Sequence, residues 1–93
     1  MQWYVYILKC RDGALYTGLT DEITRRFQEH ISGKGGVYTE RNRPERLLYY
    51  ETFNKRVDAE KREKQIKRWS KAKKEALING NLTRLRSLSV SRD

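Results

Sequence analysis

Four side chains that could do chemistry stand at short spacing in the first third of the chain. Tyr6 and Tyr16 lie ten residues apart, and Arg26 follows ten residues later. His30 comes four residues after Arg26. A phenol near a cation can lose its proton and accept one from water. A guanidinium offsets charge that develops at phosphorus, and an imidazole can bind phosphate or protonate a leaving oxygen. These residue types favour a catalytic site that handles a phosphodiester.

A carboxylate later in the chain adds a candidate metal ligand. Glu63 lies four residues after Ala59 and three before Ile66, so on a helix it stands beside the apolar stripe. A single oxygen ligand suits Mg²⁺ (or Mn²⁺), which keeps most of its waters and takes further ligands from substrate phosphate. The competing interpretation is a plain helix salt bridge with Arg62.

The other candidates have ordinary structural interpretations as well. Tyr6 and Tyr16 could be core or cross-strand packing residues, since aromatic side chains pack well on sheets. Arg26 could be an exposed helix arginine, and His30 a hydrogen-bonded surface histidine. Both sets of interpretations depend on how the local elements orient these side chains.

The apolar pattern predicts the elements that must position them. Residues 3–8 form a continuous apolar and aromatic run, which is typical of a central strand covered on both faces. The strand ends at a turn signal over residues 11–13. Further predicted elements are strands over 14–19 and 46–53, a helix from a cap at Thr20 or Asp21 to about Ser32, a flexible link over 34–36, a helix from Lys55 to Trp69, and a helix capped by Ser70 that ends at Asn79-Gly80.

The length of the first turn decides where the two phenols point. A two-residue loop would put Tyr6 and Tyr16 on opposite faces of the sheet. A three-residue loop with Gly13 left-handed instead pairs Leu8 with Tyr16 and Tyr6 with Gly18. We predict the three-residue loop, which makes the phenols diagonal neighbours on one face, with a gap at Gly18 that a ligand or backbone could approach.

The first helix carries an apolar stripe and a polar flank. Ile23, Phe27 and Ile31 recur at four-residue steps and form the predicted buried stripe. Arg26 and His30 lie on one flank of it. From this flank the two side chains would lean over the edge of the sheet.

Length and composition limit the function classes. The chain has 93 residues, room for one α+β domain, which we assign to residues 1–80 with a poorly ordered tail over 81–93. Cys10 is the single cysteine, so an intramolecular disulfide and a thiolate zinc site are excluded. No early apolar run has signal-peptide form, and none reaches the roughly 20 apolar residues of a membrane span. We expect a cytoplasmic protein with no membrane and no obligate protein partner.

The charge points to nucleic acid as the partner. The chain has a formal net charge of +9, and residues 55–74 hold ten basic and three acidic side chains, a net +7. Such a segment can neutralise phosphates and release their counterions, although a solvated helix surface is the alternative. Trp69 lies within it and could stack on a base. The predicted nucleic-acid-binding residues are Lys64, Lys67, Arg68 and Lys71.

With these residues identified, the chain resembles the GIY-YIG nuclease superfamily. This domain occurs in the UvrC repair nuclease and in some intron homing endonucleases, and the chain is most similar to the small stand-alone bacterial members. Tyr-Val-Tyr at 4–6 stands where the first motif would be, and Tyr-Thr-Gly at 16–18 where the second would be. The family's helix arginine falls on Arg26, the histidine of some members on His30, and the metal-binding glutamate on Glu63.

The resemblance implies a fold and a reaction. The fold is a three-stranded antiparallel sheet with the first strand central, flanked by helices, and the reaction is metal-dependent hydrolysis of a phosphodiester. In that scheme Tyr6 or Tyr16 activates the water, and the choice between them stays open. Arg26 stabilises the charged transition state, and a magnesium ion held by Glu63 assists the leaving oxygen.

The chain also departs from the family pattern. Tyr4 replaces the glycine of the first motif, and Thr17 replaces the isoleucine of the second. Glu75 stands about where several relatives carry an asparagine near the metal, and Asn79 and Asn81 are poor substitutes. Two functions therefore stay open. One is an endonuclease acting on structured or damaged DNA, with DNA favoured over RNA, and the other is a non-catalytic basic nucleic-acid-binding module that retains the nuclease fold.

Overall fold

The central strand organises a three-stranded antiparallel sheet. The computed structural model describes residues 1–32 and 44–90. Within these residues the sheet has the order β2-β1-β3, so the predicted α+β fold with the first strand central is confirmed. Its elements are β1 Trp3–Cys10, β2 Leu15–Thr20, α1 Ile23–Ile31, β3 Pro44–Phe53, α2 Arg56–Lys67, α3 Lys71–Ile78 and α4 Leu82–Val90.

The turn between β1 and β2 has the predicted length. Cys10 and Ala14 close it through a backbone hydrogen bond of 2.9 Å, and Gly13 takes a φ of 88°. The register therefore pairs Tyr6 with Gly18. Because side chains alternate along a strand, Tyr6 and Tyr16 share one face of the sheet, as predicted from the three-residue loop.

The two faces of β1 meet different neighbours. Val5 and Ile7 are 1% and 0% exposed and belong to an apolar cluster on one face. Ala59 and Ile66 of α2 belong to the same cluster, and so does Trp69 from the link between α2 and α3. Tyr6 and Leu8, which are also buried, point to the opposite face. β1 is thus covered on both sides, as its continuous apolar run predicted.

Helix α1 lies over the second face, turned differently from the prediction. His30 is its fully buried residue at 0% exposure, whereas Ile31 is 41% exposed. The predicted burial of Ile31 is therefore wrong. Successive helical residues are about 100° apart around the axis, so with His30 turned fully towards the sheet Ile31 lies on the flank of the buried face. Burial of the imidazole has displaced the apolar side chain.

The helix ends follow local capping chemistry, with one difference from the prediction. Thr20 does not cap α1 directly, because its hydroxyl accepts from the backbone N–H of Glu22 at 3.1 Å and the helix begins one residue later. Ser70 does cap α3, accepting from the N–H of Lys73 at 3.2 Å, and Gly80 follows that helix with a φ of 69°. Val57, near the start of α2, is 51% exposed.

Residues assigned to a poorly ordered tail form a helix. α4 runs over Leu82–Val90, begins with Asn81 Oδ1 accepting from the N–H of Arg84 at 3.0 Å, and packs Leu85 against the apolar cluster. The predicted helix end at Gly33, the link over 34–36 and the last residues, 91–93, lie outside the described residues. Within residues 1–32 and 44–90, no helix has both the length and the apolarity to cross a bilayer.

Candidate nuclease site

A buried hydrogen bond joins β1 to α1. Tyr6 Oη lies 2.9 Å from His30 Nε2, with Tyr6 2% and His30 0% exposed. A buried polar pair is stable only when both partners are satisfied, so this bond fixes the position of α1 on the sheet. The surface-histidine interpretation of His30 is wrong.

Arg26 extends this bond into a chain of three groups. Its guanidinium hydrogen-bonds Tyr6, and since a guanidinium only donates, the phenol oxygen is the acceptor. Tyr6 Oη shares its second hydrogen bond with His30 Nε2, and the direction of that bond depends on the tautomer of the imidazole. We call this arrangement the Arg26–Tyr6–His30 chain.

Burial controls the protonation of this chain. It raises the pKa of Tyr6 to about 12, against the opposing effect of the Arg26 hydrogen bond. Burial also lowers the pKa of His30 to about 4, and the nearby positive charge of Arg26 lowers it further. Both groups are neutral at pH 7. The expected depression of a phenol pKa is wrong for Tyr6, because the cost of desolvating a phenolate exceeds the benefit of the cation.

Tyr16 packs beside the Arg26–Tyr6–His30 chain and is more accessible to solvent than Tyr6. Its ring centroid lies 4.9 Å from that of His30 and 6.4 Å from that of Tyr6. It is partly exposed, whereas Tyr6 is buried. The charge of Arg26 reaches both phenols. The structure thus brings together the four residues that stand out near the start of the sequence.

Gly18 makes room for Tyr6 itself. A Cβ built at Gly18 would overlap the phenol oxygen and Cζ of Tyr6. The gap predicted opposite Tyr6 is therefore filled by the Tyr6 ring and is not open to a ligand. A glycine at this position lets the ring lie flat over the neighbouring strand, which aims its hydroxyl at α1.

Glu29 is a site residue that the sequence reasoning missed. Its Oε1 accepts from Arg26 Nη1 at 3.1 Å, while Arg25 Nη1 lies 3.2 Å from the other oxygen. Those hydrogen bonds lower the pKa of Glu29, with the bond from Arg26 contributing most. The signal was present, because residues three apart on a helix are neighbours. Glu29 holds the half-buried guanidinium of Arg26 in place.

Glu63 lies close enough to the Arg26–Tyr6–His30 chain for its charge to affect Tyr6. Its carboxylate raises the pKa of Tyr6, although burial is the larger cause. The side chain is 17% exposed, and Lys67 Nζ lies 3.2 Å from its Oε2. The alternative interpretation of Glu63 as a member of a helix salt bridge therefore holds, but its partner is Lys67 and not Arg62, whose Nε donates to Glu51 at 2.8 Å.

The donor set around Glu63 is compatible with a magnesium ion. Within residues 1–32 and 44–90, no group of three or more His, Cys, Asp or Glu side chains is placed to enclose a metal. That excludes a caged, all-protein site in this part of the chain. A lone carboxylate oxygen is the kind of ligand that Mg²⁺ accepts while keeping most of its waters.

The predicted nucleic-acid-binding residues do not form one track. Lys64 and Arg68 line a shallow depression of about 280 Å³ on α2, whereas Lys67 turns to Glu63. Lys71 lies apart from both, lining a cleft of about 450 Å³ with Lys9 at the far end of the sheet. Three of the four residues therefore lie close together at the C-terminal end of α2, and Lys71 lines a separate cleft.

Trp69 is not available for stacking on a base. It is 8% exposed, with the Arg62 guanidinium 5.2 Å and the Lys73 ammonium 4.3 Å from its ring centroid. Both cations can interact with the ring's π system. The prediction that Trp69 contacts nucleic acid is wrong, because the residue belongs to the core.

The late polar residues of the chain lie in other surroundings. Glu75 and Asn79 line the 450 Å³ cleft together with Lys9. Asn81 caps α4 with its side-chain oxygen. These three residues have roles that do not involve the Arg26–Tyr6–His30 chain.

The chain is similar to proteins of one bacterial group. Residues 2–76 match the GIY-YIG catalytic domain. The chain is 46% identical over 76 residues to UPF0213 protein SSP2268 of Staphylococcus saprophyticus, covering 82% of this chain and 93% of that protein. It is 48% identical over 80 residues to UPF0213 protein DP2720 of Desulfotalea psychrophila, covering 85% and 73%. These names specify no activity.

Two solution NMR structures share the fold. UPF0213 protein BH0048 from Bacillus halodurans aligns with a TM-score of 0.56 at 43% identity, covering 85% of this chain and 84% of that one. Protein EF2693 from E. faecalis aligns with a TM-score of 0.58 at 36% identity, covering 88% of each chain.

Proposed function

The chain belongs to the GIY-YIG nuclease family, and from this premise we propose that it is a divalent-metal-dependent endonuclease that hydrolyses phosphodiester bonds in structured or damaged DNA, as in DNA repair. The observation that carries the proposal is the buried Arg26–Tyr6–His30 chain, with Tyr16 and Glu63 beside it. A fold that needed only stability would place apolar side chains here, since each buried polar group is costly unless it is paired.

We assign the water-activating role to Tyr16. Of the two phenols it is the more exposed, whereas Tyr6 is buried between two hydrogen-bond partners and its pKa is raised to about 12. A phenolate at Tyr6 is not populated at neutral pH. Tyr6 therefore acts as a positioning residue that fixes His30 and Arg26. Tyr16 in its phenolate form takes the proton from the attacking water, whose oxygen bonds to phosphorus as the bond to the leaving oxygen breaks, and solvent protonates that leaving oxygen.

Arg26 binds the phosphate in this mechanism. Its side chain is 32% exposed and is held by Tyr6 and Glu29, so the guanidinium is oriented before substrate arrives. Preorganised donors of this kind stabilise charge as it develops in the transition state. His30 is buried and neutral at pH 7, and its Nε2 is bonded to Tyr6, so in this mechanism it orients Tyr6 and Arg26 beside the phosphate.

Glu63 is the residue that would hold Mg²⁺ or Mn²⁺, and the ion would supply Lewis-acid stabilisation of the leaving oxygen. Lys67 now pairs with that carboxylate at 3.2 Å. In the proposed complex, Lys67 is positioned to contact the phosphate backbone next to the cleaved bond. Lys64 and Arg68 extend this contact along α2.

The test is cleavage of flap, nicked, branched and single-stranded DNA by purified protein with Mg²⁺ or Mn²⁺. Arg26→Ala should lower the cleavage rate by about 100- to 1,000-fold, as expected for loss of one transition-state donor. Arg25→Ala is the matched control, since Arg25 is the neighbouring residue on α1 and is 59% exposed. Glu63→Gln should abolish metal-dependent cleavage, because the carboxylate that would hold the ion is lost. Cleavage that persists in both Arg26→Ala and Glu63→Gln would rule the proposal out.

A non-catalytic nucleic-acid-binding module is the second candidate. Two observations favour it: Glu63 is engaged by Lys67, and Glu75 occupies the position expected for an asparagine. This candidate predicts salt-dependent binding with no cleavage of any substrate. Lys67→Ala and Arg68→Ala should then weaken binding, while Arg26→Ala has little effect.

A further inference from the structure

An aromatic pair borders the site on the same face of the sheet. Tyr50 on β3 is the direct cross-strand partner of Tyr6, and Tyr4 lies two residues before Tyr6 on β1. The Tyr4 and Tyr50 ring centroids are 5.8 Å apart at an angle of 67°. We call this pair the Tyr4–Tyr50 ledge. It was not among the residues singled out as functional from the sequence.

The ledge differs from the other aromatic residues near the core in its exposure. Tyr50 is 52% exposed, whereas Tyr6 and Trp69 are 2% and 8% exposed. An edge-to-face pair leaves ring faces uncovered by the partner ring. An exposed tyrosine offers a rigid apolar surface at low cost in side-chain entropy, which suits it to binding a flat ligand.

The position of the ledge sets what could reach it. Neighbouring strands are roughly 4.8 Å apart, and residues two apart on a strand are separated by roughly 7 Å. Both ledge residues therefore begin within one nucleotide's reach of Tyr6, to which Arg26 is hydrogen-bonded. The net charge of +9 favours a polyanion over an apolar peptide as the occupant.

We propose that the Tyr4–Tyr50 ledge stacks an unpaired base next to the phosphate bound at Arg26. Bases in a duplex are stacked on one another and cannot reach the ring faces, but a base in a single strand, flap or gap can. The preferred substrate class is therefore DNA with an unpaired nucleotide beside the cleaved bond. This inference rests on the proposed function and names its substrate.

The test compares two substitutions at one position. Tyr50→Val keeps a good strand former without a ring, and Tyr50→Phe keeps the ring. Fluorescence anisotropy with chelator present measures binding to a single-stranded oligonucleotide and to the matching duplex at one salt concentration. Tyr50→Val should bind the single strand roughly tenfold more weakly, the effect of losing one stacked base, with the duplex affinity unchanged. Tyr50→Phe should bind both as the wild type does.

A second arm replaces single bases of the oligonucleotide by abasic positions. One abasic position should weaken binding by wild type and leave Tyr50→Val unaffected. If Tyr50→Val lost affinity equally for the single strand and the duplex, or lost none, the proposed stacking role of the ledge would be overturned. A wild type that binds no nucleic acid overturns both proposals. If single-strand binding depends on Tyr50 but the protein does not cleave DNA in Mg²⁺, the stacking role is supported and the nuclease function is rejected. If the protein cleaves DNA and Tyr50→Val has no effect on binding, the nuclease function is supported and the stacking role is rejected.

Discussion

The two faces of β1 are built by different chemistry. On one face Val5 and Ile7 pack against the apolar residues of α2, and their contribution is the removal of apolar area from water. On the other face Tyr6 is held between Arg26 and His30 by directional hydrogen bonds. The first face tolerates changes that preserve volume, whereas the second depends on the position of single atoms. Stability and candidate chemistry are thus separated by one residue along the same strand.

The largest effect is expected on the apolar face. Ile7 is 0% exposed, so Ile7→Ala should lower the free energy of unfolding by about 2–5 kcal/mol through lost transfer energy and the cavity left behind. Urea denaturation gives this value. Leu82→Ala, at a position 62% exposed, is the control and should change stability little. A loss below about 1 kcal/mol at Ile7 would show that this face does not dominate stability.

The face of β1 that carries Tyr6, which we call the site face, should make the stability of the protein depend on pH through its contact with His30. The pKa of His30 falls from an ordinary 6.5 to about 4 on folding, so the unfolded chain binds more protons between these values. Stability is therefore fully present above pH 6.5 and is lost as the pH falls towards 4, by about 3 kcal/mol. Glu29 and Glu51 also have lowered pKa values, so they too lose stabilisation as the pH falls. The difference between the pH dependence of stability in wild type and in His30→Gln isolates the histidine contribution.

The same titration can be followed directly. His30 is the only histidine of the sequence, so its imidazole NMR signals need no assignment. We expect a midpoint near pH 4 in the folded protein. A midpoint near 6.5 would mean that the ring is exposed in solution and that the Arg26–Tyr6–His30 chain is not formed.

A third prediction concerns a substitution that overfills the site face. Gly18→Ala places a methyl group on the Tyr6 phenol and should cost about 1–3 kcal/mol of stability. It should also remove cleavage activity, because the phenol must leave its partners on α1. Gly80→Ala is the control, since that residue has a φ of 69° with open space around it. It should reduce stability and leave cleavage unchanged. Full activity in Gly18→Ala would contradict the proposed role of Tyr6.

The smallest effect is expected one residue away, on the apolar face. Thr17 is 4% exposed, and its hydroxyl has no hydrogen-bond partner among the residues that the structure describes. Thr17→Val should therefore raise the free energy of unfolding by about 1 kcal/mol. Thr20→Val is the control with the opposite expected sign. The Thr20 hydroxyl accepts a hydrogen bond from the backbone N–H of Glu22, so its loss should lower the stability of the protein. A destabilised Thr17→Val would indicate an unrecognised partner.

Local chemistry made much of this arrangement predictable. The turn at Gly13 fixed the register and hence the shared face of Tyr6 and Tyr16. Ser70 and Gly80 predicted the limits of α3 because caps depend on a few adjacent residues. The four-residue spacing of Arg26 and His30 placed them on one flank of a helix. These inferences involve groups close in the chain, where geometry leaves few choices.

Longer-range contacts were harder to predict. The sequence pattern favoured Ile31 as a buried residue and Trp69 as a residue within reach of a stacked base, and both expectations were wrong. Each outcome depends on which side of a helix meets the sheet. Hydrophobicity favours a face, but a buried hydrogen bond such as that of His30 to Tyr6 can rotate the helix away from it.

By itself the sequence determined which strand lies at the centre of the sheet, the register of the first hairpin and the set of candidate site residues. Tertiary structure alone decided that His30 is buried and neutral, that Lys67 engages Glu63, and that Tyr50 lies beside Tyr6. The physical reason is the range of the forces involved. Backbone geometry and capping act over a few residues, whereas desolvation and charge pairing depend on what distant segments bring to the same point.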